Sequence, residues 1–328
     1  MNECRDLAKK SVNDIYKIAA KIIVNGDGNS EIGYARPNIR LDALTKVTDE
    51  SGRIGGASNT IHAETAVLIG APHTQNGILY VTDPLCPNCM KNAIEAGIEK
   101  IFIDTQGFDK PWYQNRHHYF DHISVPLASA AGISLMSVNC PAEDIPPLNS
   151  PSCLQEVTES LPVQIKPSLS DSTNIFEAQI EKSEKIFKDL PHAISTGFRP
   201  DGQEVILIAA QSYPRGIDDS QKKTLETISR YNRQKKYKIK IDPVTRLMMS
   251  ASRYGISLRG SHMYCSHLPS ARCQINAVGY GLSDIKIGKI RYDAKTNDLE
   301  AAISLHRHGI LKFTIDQLNQ STTRIFDQ

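Results

Sequence analysis

Two short motifs in this chain contain residue types that can hold a metal ion and move a proton. In "HAE", His62 precedes Glu64 by two positions, and in "CPNC", Cys86 and Cys89 stand three positions apart. Catalytic zinc takes three protein ligands, often nitrogen and sulfur atoms, and keeps a fourth position open for water. One histidine and two cysteines supply three such ligands. The spacing therefore predicts one zinc ion per chain, bound by His62, Cys86 and Cys89.

Glu64 remains outside this ligand set and is suited to acid–base chemistry. Bound zinc lowers the pKa of a coordinated water molecule from about 15.7 to about 7. A carboxylate beside that water can take up its proton and pass it on. We therefore predict that Glu64 is the catalytic residue of the site.

Two other interpretations of the cysteine pair stay open at this point. A C-x-x-C motif after a strand also occurs in thioredoxin-like redox proteins, although redox chemistry gives no role to His62 and Glu64. A structural zinc site normally has four ligands, and no fourth cysteine or histidine lies nearby at a usual spacing. The second interpretation corresponds to a zinc-binding regulatory protein without catalysis.

The elements around the two motifs are predicted to alternate between strands and helices. The pattern predicts a helix from His62, a strand over residues 77–82, a helix after Pro87 and a strand over residues 100–104. Each motif then lies at the N-terminus of a helix, where the helix dipole favours thiolate charge. Strand–helix–strand units of this kind predict a three-layer αβα domain with helices on a mixed sheet.

Upstream of these units, the sequence predicts a long helix and a hairpin. The helix, over about residues 4–24, is charged and amphipathic and therefore unlike a signal peptide. The hairpin covers "LTKVTDESGRIGGASN", residues 44–59, with its turn at Glu50, Ser51 and Gly52.

A proline-rich stretch divides the chain into two parts. Residues 140–172 hold six prolines without a clear apolar period, which predicts a semi-extended linker. Residues 1–139 are the predicted catalytic zinc domain, and residues 173–328 are the second domain. In that second domain the order of elements recurs, with a helix over 174–189 and a hairpin over 196–212.

The two domains are related by an internal repeat. "IHAETAVLI" (61–69) aligns with "IDPVTRLMM" (241–249), and residues 78–101 align with residues 262–285 without a gap. In the alignment of residues 78–101 with residues 262–285, identical residues include a tyrosine, a cysteine, an asparagine, an alanine and a glycine. This pattern predicts a domain fold that is duplicated in tandem.

The second copy lacks most of the residues that the predicted zinc chemistry needs. The positions of His62, Glu64 and Cys86 hold, in that order, Asp242, Val244 and Ser270. Cys273 remains at the position of Cys89, but one thiolate cannot hold a catalytic zinc ion. We therefore predict that the second domain is a degenerate, catalytically inactive copy.

The two motifs and their frame resemble the cytidine and deoxycytidylate deaminase superfamily, whose general pattern is H-x-E followed by P-C-x-x-C. The resemblance covers residues 1–135, and "YVTDPLCPNCMKNAIEAGIEKIFID" is most similar to the deoxycytidylate and tRNA-adenosine deaminase branches. It implies a cytidine-deaminase-like fold. It also implies that Glu64 is the proton shuttle and that the zinc ligands are His62, Cys86 and Cys89.

The resemblance further implies where a substrate binds. In such enzymes an asparagine at the end of the hairpin contacts the sugar, which indicates Asn59, with Asn38 as the alternative. Ala63 completes the predicted substrate-binding set. Variable helices close the pocket after the last strand, here in residues 107–120, where the candidates for binding phosphate or a base are Lys110, Trp112, Arg116, His117 and His118. Leu85 stands where the family has a proline, which alters the pocket beside the metal.

Composition and charge limit the class of protein. Of 328 residues, 40% are hydrophobic and 23% are charged, which is ordinary for a globular protein. Seven cysteines form an odd, thinly spread set, and no run of about 18 apolar residues exists. We therefore expect a cytoplasmic protein without membrane contact.

Charge is distributed unequally between the two parts. Residues 1–170 hold 14 Lys and Arg against 19 Asp and Glu, a net charge of −5, whereas residues 171–328 hold 24 against 17, a net charge of +7. The stretch "RYNRQKKYKIK" (230–240) adds aromatic residues among the basic ones, a pattern that can bind a polynucleotide strand and is also usual for a solvated helix face.

These features predict hydrolytic deamination of a small cytosine nucleotide or nucleoside, with deoxycytidylate and cytidylate preferred. The alternative is a polynucleotide deaminase that acts on tRNA or single-stranded DNA, with the basic second domain holding the strand. The two domains are expected to pack as an intrachain pseudo-dimer, and association into a homo-oligomer stays open.

Overall fold

The structure is a computed structural model that describes most of the chain. The described residues form a mixed α/β protein with two large mixed sheets and helices packed on them, compatible with an αβα fold. Among these residues, no helix combines the length and the apolar character that crossing a membrane requires. The described ranges are 1–12, 17–25, 31–37, 41–47, 53–55, 57–139, 147–151, 161–168, 172–231, 238–289 and 296–315.

The first large sheet belongs to the N-terminal half. The described strands of this half are β1 (Ala19–Asn25), β2 (Glu31–Pro37), β3 (Arg53–Ile54), β4 (Ala57–Ser58), β5 (Ile78–Val81), β6 (Lys100–Asp104) and β7 (Ser134–Val138). Five of them form a sheet in the order β2-β1-β5-β6-β7, and β3 pairs with β4 separately. β1 is antiparallel to both neighbours, whereas β5, β6 and β7 are parallel. The segments that follow β5 and β6 therefore lie at one edge of the sheet.

Helices in this half carry the two predicted motifs. The described helices are α1 (Asn2–Ala8), α2 (Asp42–Thr45), α3 (Ala63–Gly70), α4 (Pro87–Glu95), α5 (Pro111–Tyr119) and α6 (Val125–Ala130). A 3₁₀ helix (Thr105–Asp109) precedes α5, and a π-helix (Phe120–Ser124) follows it. α3 packs on β1 and β2 and against α4. In β1, Ala20, Ile22 and Val24 are buried in the core, because alternate residues of a strand face the same side.

The second large sheet belongs to the C-terminal half. Its strands are β8 (Gln164–Pro167), β9 (His192–Phe198), β10 (Glu204–Ala210), β11 (Met263–His267), β12 (Asp284–Lys289) and β13 (Lys312–Ile315), in the order β13-β12-β11-β9-β10-β8. β9 is antiparallel to β10 and β11, and β11, β12 and β13 are parallel. Apart from the edge strand β8, this is the arrangement of the first sheet. The described helices of this half are α7 (Ser172–Phe187), α8 (Asp219–Tyr231), α9 (Pro243–Arg253), α10 (Ala271–Tyr280) and α11 (Thr296–Arg307).

Helices of the two halves pack against each other. α9 contacts both α3 and α4, and α10 contacts α3. One buried apolar cluster includes Ile61 and Met90 from the first half together with Leu247 and Ile275 from the second. The described parts of the two halves therefore share one core.

The prediction of a helix over residues 4–24 is wrong. α1 ends at Ala8, and β1 begins at Ala19. Ile22, Ile23 and Val24 are β-branched and favour extended backbone. Pairing of β1 with β2 and β5 satisfies its backbone, so tertiary pairing outweighs the amphipathic pattern.

The predicted hairpin over residues 44–59 is partly wrong. Leu44 and Thr45 lie in α2 rather than in a strand. The short pair β3 and β4 occupies the second part of the segment, with Arg53 opposite Ser58. The predicted turn at residues 50–52 lies outside the described residues.

The other element predictions near the site are confirmed. β5 and β6 lie at the predicted strand positions, and α3 and α4 begin directly after His62 and Cys86. In the C-terminal half, α7 corresponds to the predicted helix, and β9 and β10 form the predicted antiparallel pair.

Residues of the predicted linker contact both sheets. The Leu148 amide donates to the Leu135 carbonyl at 2.8 Å, and the Asn149 side chain accepts from the Leu135 amide at 2.8 Å. Further along, β8 extends the second sheet by pairing with β10. Residues 140–146, 152–160 and 169–171 lie outside the described ranges.

Candidate metal centre

His62 and Cys86 are the residues immediately before two helices. His62 is the N-cap of α3, with extended backbone at φ −63° and ψ 145°. Cys86 is the N-cap of α4, with φ −67° and ψ 158°, and Pro87 follows at the first helical position, where its missing N–H costs nothing. Cys89 lies in the first turn of α4. The two helix starts therefore place all three predicted ligands at positive helix ends, which favour thiolate charge.

The three ligand atoms lie close together. The Nδ1 atom of His62 is 3.3 Å from the Sγ of Cys89 and 3.7 Å from the Sγ of Cys86. Within the part of the chain that the structure describes, this is the single group of three or more His, Cys, Asp or Glu ligand atoms that lie within 4.8 Å of one another. Zinc–sulfur and zinc–nitrogen bonds of about 2.3 and 2.0 Å place tetrahedral ligands about 3.5–3.8 Å apart. The observed donor set and spacing therefore fit zinc.

The interaction between the Cys86 and Cys89 thiols changes the pKa of both groups, in opposite directions. The hydrogen bond between them holds the pKa of Cys86 well below its usual value, and His62 acts in the same direction. The same hydrogen bond raises the pKa of the Cys89 thiol. Cys86 is 5% exposed and Cys89 is 2% exposed. A buried thiolate beside a second thiol and an imidazole forms a site that a soft divalent cation can neutralise.

Glu64 lies in the first turn of α3 and is only 3% exposed. Its Oε2 atom has no hydrogen-bond partner among the described residues. Burial raises the pKa of this carboxyl group to about 7, although the nearby His62 lowers it. A buried, unsatisfied carboxyl oxygen is uncommon in a folded protein and is typical of a functional position.

Thr65 and Asn92 support the cysteine helix from the side. The Thr65 hydroxyl is 3.8 Å from the Sγ of Cys89, and the Asn92 amide donates to that hydroxyl at 3.0 Å. Neither residue stood out by chemistry in the sequence. The alignment of the two halves held the signal, because Thr245 and Asn276 align with Thr65 and Asn92.

The segment before Cys86 is fixed by the π-helix. Leu85 is fully buried, and its carbonyl accepts a hydrogen bond from the Ser124 hydroxyl at 2.9 Å. The residue that precedes Cys86 is thus held by both packing and a hydrogen bond. This contact positions the backbone that enters α4.

The residues predicted to bind substrate lie in different settings. Asn59 is 7% exposed and lies between β4 and His62. Ala63 is fully buried at the first position of α3. Asn38 lies outside the described residues. The basic stretch 230–240 is likewise described only at its two ends.

Lys110, a candidate for binding phosphate, already has an ionic partner. Its Nζ atom is 2.6 Å from the Oδ2 of Asp83. Burial raises the pKa of Asp83 to about 6, although Lys110 acts in the opposite direction. Lys110 borders a cleft of about 770 Å³. Arg5, on the same cleft, makes two hydrogen bonds of 2.6 and 2.7 Å to the carboxylate of Asp104.

The residues of the C-terminal half that align with the predicted ligands form hydrogen bonds of their own. The Asp242 side chain accepts from the Val244 amide at 3.0 Å. The Ser270 hydroxyl is 3.0 Å from the Sγ of Cys273, and the Thr245 hydroxyl is 3.1 Å from the same atom. Burial raises the pKa of Cys273 to about 12. Cys273 is the one thiol among these aligned positions, and in the described residues no cluster of three ligand atoms forms around it.

Comparisons with known proteins give a limited result. No family model matches the chain, and no curated protein matches it. A crystal structure of dCMP deaminase from the cyanophage S-TIM5 in apo form is 20% identical, with a TM-score of 0.24, and the match covers 33% of this chain and 82% of that chain. The structure of the same protein in complex with dCMP and dUMP is 21% identical, with a TM-score of 0.25 and coverage of 33% and 83%.

Proposed function

We propose that this protein is a zinc-dependent hydrolase that removes the exocyclic amine of a cytosine nucleotide or nucleoside, with dCMP and CMP preferred. The observation that carries the proposal is the meeting of three ligand atoms within 4.8 Å with a buried carboxyl oxygen that has no partner among the described residues. Redox chemistry at the two cysteines would use neither His62 nor Glu64. The H-x-E and C-x-x-C pattern of the deaminase superfamily assigns a role to each of these residues.

His62, Cys86 and Cys89 would hold the metal. When bound, zinc supplies a Lewis acid that lowers the pKa of a water molecule to about 7 and so provides a nucleophile at neutral pH. Three protein ligands are the number that catalytic zinc sites use. The Thr65 and Asn92 contacts orient Cys89, because the partners of metal ligands fix their geometry.

Glu64 would move the protons of the reaction. As the oxygen of a water molecule adds to C4 of cytosine, the carboxylate would take up one proton from that water and give it to N3 of the ring. It would then take up the second proton, from the hydroxyl group now on C4, and give it to the amine. The C4–N bond breaks, ammonia leaves, and the uracil product keeps the oxygen as its C4 carbonyl. A carboxyl group that is buried and has a pKa near neutrality can both accept and release a proton at pH 7.

Asn59, Ala63 and Asn38 are the proposed substrate contacts. Asn59 and Ala63 flank the segment that carries His62, so that both lie near the metal ligands along the chain. For Asn38 the proposal rests on its place in the sequence alone. Lys110 would have to exchange Asp83 for a phosphate group in order to bind a nucleotide.

We also propose that the chain is a tandem duplication of one cytidine-deaminase-like fold. Residues 1–139 form the catalytic domain and residues 173–328 form the inactive copy. Residues 140–172 form the linker between them. Support comes from the shared strand order of the two sheets and from the equivalent hydroxyl–thiol pairs, Thr65 with Cys89 and Thr245 with Cys273. One zinc ion per chain and an intrachain pseudo-dimer follow from this arrangement.

A second candidate is deamination of a base within RNA or single-stranded DNA. The net charge of +7 on residues 171–328 favours it, because a basic surface attracts the phosphate backbone. In this case the C-terminal half would hold the strand, and the same zinc site would act on an unstacked base.

Ammonia release from a panel of substrates tests the proposal. The panel contains dCMP, CMP, deoxycytidine, cytidine, adenosine, guanine and a single-stranded oligonucleotide, each with zinc-loaded protein and with protein stripped by a chelator. We expect release from dCMP or CMP with loaded protein only. Release from the oligonucleotide alone would favour the second candidate. No release from any substrate by protein that holds one zinc ion would contradict both.

A further inference from the structure

The C-terminal half contacts the backbone that leads to His62. Arg272, at the second position of α10, donates from Nη1 to the carbonyl of Thr60 at 2.7 Å. Thr60 is buried and stands two residues before His62. The two residues of this contact are 212 positions apart in the chain. A side chain of the proposed inactive copy therefore holds a segment of the metal centre.

A second contact from α10 holds the next residue. Ile61 is fully buried and lies against Gly279, where an added Cβ would stand only 2.1 Å from its Cδ1 atom. Two consecutive residues before His62 are thus held by α10, one through its carbonyl and one through its side chain. A backbone fixed in this way restricts where the imidazole can lie.

The two halves exchange such contacts reciprocally. Lys91 on α4 donates from Nζ to the carbonyl of Lys238 at 2.6 Å, and Lys238 stands four residues before Asp242 in the second copy. Each half therefore places a cation from its cysteine-position helix on the loop that leads to the partner motif.

The N-termini of α3 and α4 lack the side-chain caps that α9 and α10 have. An N-cap side chain normally accepts a hydrogen bond from the helix and fixes its first turn. Asp242 and Ser270 do this for α9 and α10. His62 and Cys86 make no such side-chain bond to α3 and α4, because their side chains are directed to the ligand cluster. Helix α3 thus begins without a side-chain cap, and the Arg272 contact lies just before this start.

We propose that Arg272 is a positioning residue of the metal centre: it fixes the Thr60–His62 backbone so that His62 meets Cys86 and Cys89. This inference rests on the proposed function only in that zinc binds these three ligands. Removing a residue that orients a metal ligand typically weakens metal affinity about 10- to 100-fold. We expect the lower end of that range, because Arg272 acts through backbone.

The test compares zinc affinity in the full-length protein. R272M keeps the apolar stem and removes the donor, R272K keeps one charged donor, and R259M changes an exposed arginine of the same half. Zinc dissociation constants come from competition with a chromophoric chelator, and the absorption spectrum of the cobalt-substituted protein reports ligand geometry. We expect about tenfold weaker zinc binding and an altered cobalt spectrum for R272M, partial rescue by R272K, and wild-type values for R259M.

The outcomes separate this inference from the function itself. A folded R272M with the zinc affinity and cobalt spectrum of R259M would overturn the role of Arg272 while leaving the zinc site intact. A purely structural role would lower thermal stability without changing either metal readout. Wild-type protein that binds no zinc would instead overturn the proposed function. If R272M does not fold, R272A, whose side chain carries no donor, serves in its place with the same expected loss, and wild-type affinity in R272A overturns the inference.

Discussion

Arg246 and Glu95 form a buried ion pair between the two halves, with 3.2 Å between Nε and Oε2. Their side chains are 0% and 2% exposed. Arg246 lies on α9 and Glu95 on α4, and the Arg246 Nη1 also donates to the Ala210 carbonyl at 2.8 Å. Two charges removed from water in this way stabilise each other, because each offsets part of the cost of burying the other.

Breaking this pair should strongly destabilise the protein. We expect R246M or E95Q alone to lower the free energy of unfolding by about 3–5 kcal/mol, since each leaves one buried group without its partner. The double variant R246M/E95L should recover much of that loss. Urea denaturation measures all three. A loss below about 1 kcal/mol in both single variants would show that the pair does not stabilise the contact between the halves.

The uncapped start of α3 predicts a trade between stability and metal binding. H62S introduces a hydroxyl group that can cap the helix as Asp242 caps α9. The free energy of unfolding of metal-free H62S should therefore equal that of metal-free wild type or exceed it by up to about 1 kcal/mol. The zinc affinity of H62S should be lost. D242A is the matched control and should lose about 1 kcal/mol. Chemical denaturation in the presence of a chelator measures both, and a destabilised H62S beside an unchanged D242A would contradict the account.

The burial of Asp83 predicts a pH dependence of stability. Its pKa in the folded protein is about 6 against an ordinary value of 3.8. The stability that the protonated group contributes is therefore complete below pH 3.8 and is lost as the pH rises through about 6. One pKa unit corresponds to about 1.4 kcal/mol. The free energy of unfolding of wild type should thus fall by about 2–3 kcal/mol relative to D83N between pH 4 and pH 7.

Urea denaturation at several pH values checks this expectation. D201N, which changes an exposed aspartate, serves as the control and should follow wild type. A constant difference between wild type and D83N across this range would show that Lys110 offsets the burial of Asp83.

Short sequence patterns predicted those parts of the site whose residues lie close together in the chain. The HAE and CPNC motifs each lie at the start of a helix, and β5 and β6 lie where alternation and β-branched residues place them. The ligand cluster follows because strand–helix units bring helix starts together at one edge of a sheet. The helix predicted over residues 4–24 failed for the opposite reason. The pairing of β1 depends on partners that are distant in the chain.

The contacts between the halves could not be predicted in this way. Arg272 and Thr60 are 212 positions apart, and Arg246 and Glu95 are 151 positions apart. In sequence, these two arginines resemble ordinary surface charges of a basic half of the chain. Their roles come from the packing of α9 and α10 against α3 and α4. Sequence alignment of the two halves pairs α3 with α9 and α4 with α10, but it does not show which side chains cross between the halves.

The central claim is that Glu64 moves protons at a zinc site that deaminates cytosine. The most direct measurement is ammonia release from dCMP by wild type and E64Q at equal zinc content, with E99Q, a glutamate outside the site, as the control. The account predicts that E64Q keeps one zinc ion per chain but loses about 10²- to 10⁴-fold in rate, while E99Q matches wild type. An E64Q protein that deaminates dCMP within tenfold of the wild-type rate, at the same zinc content, would contradict it.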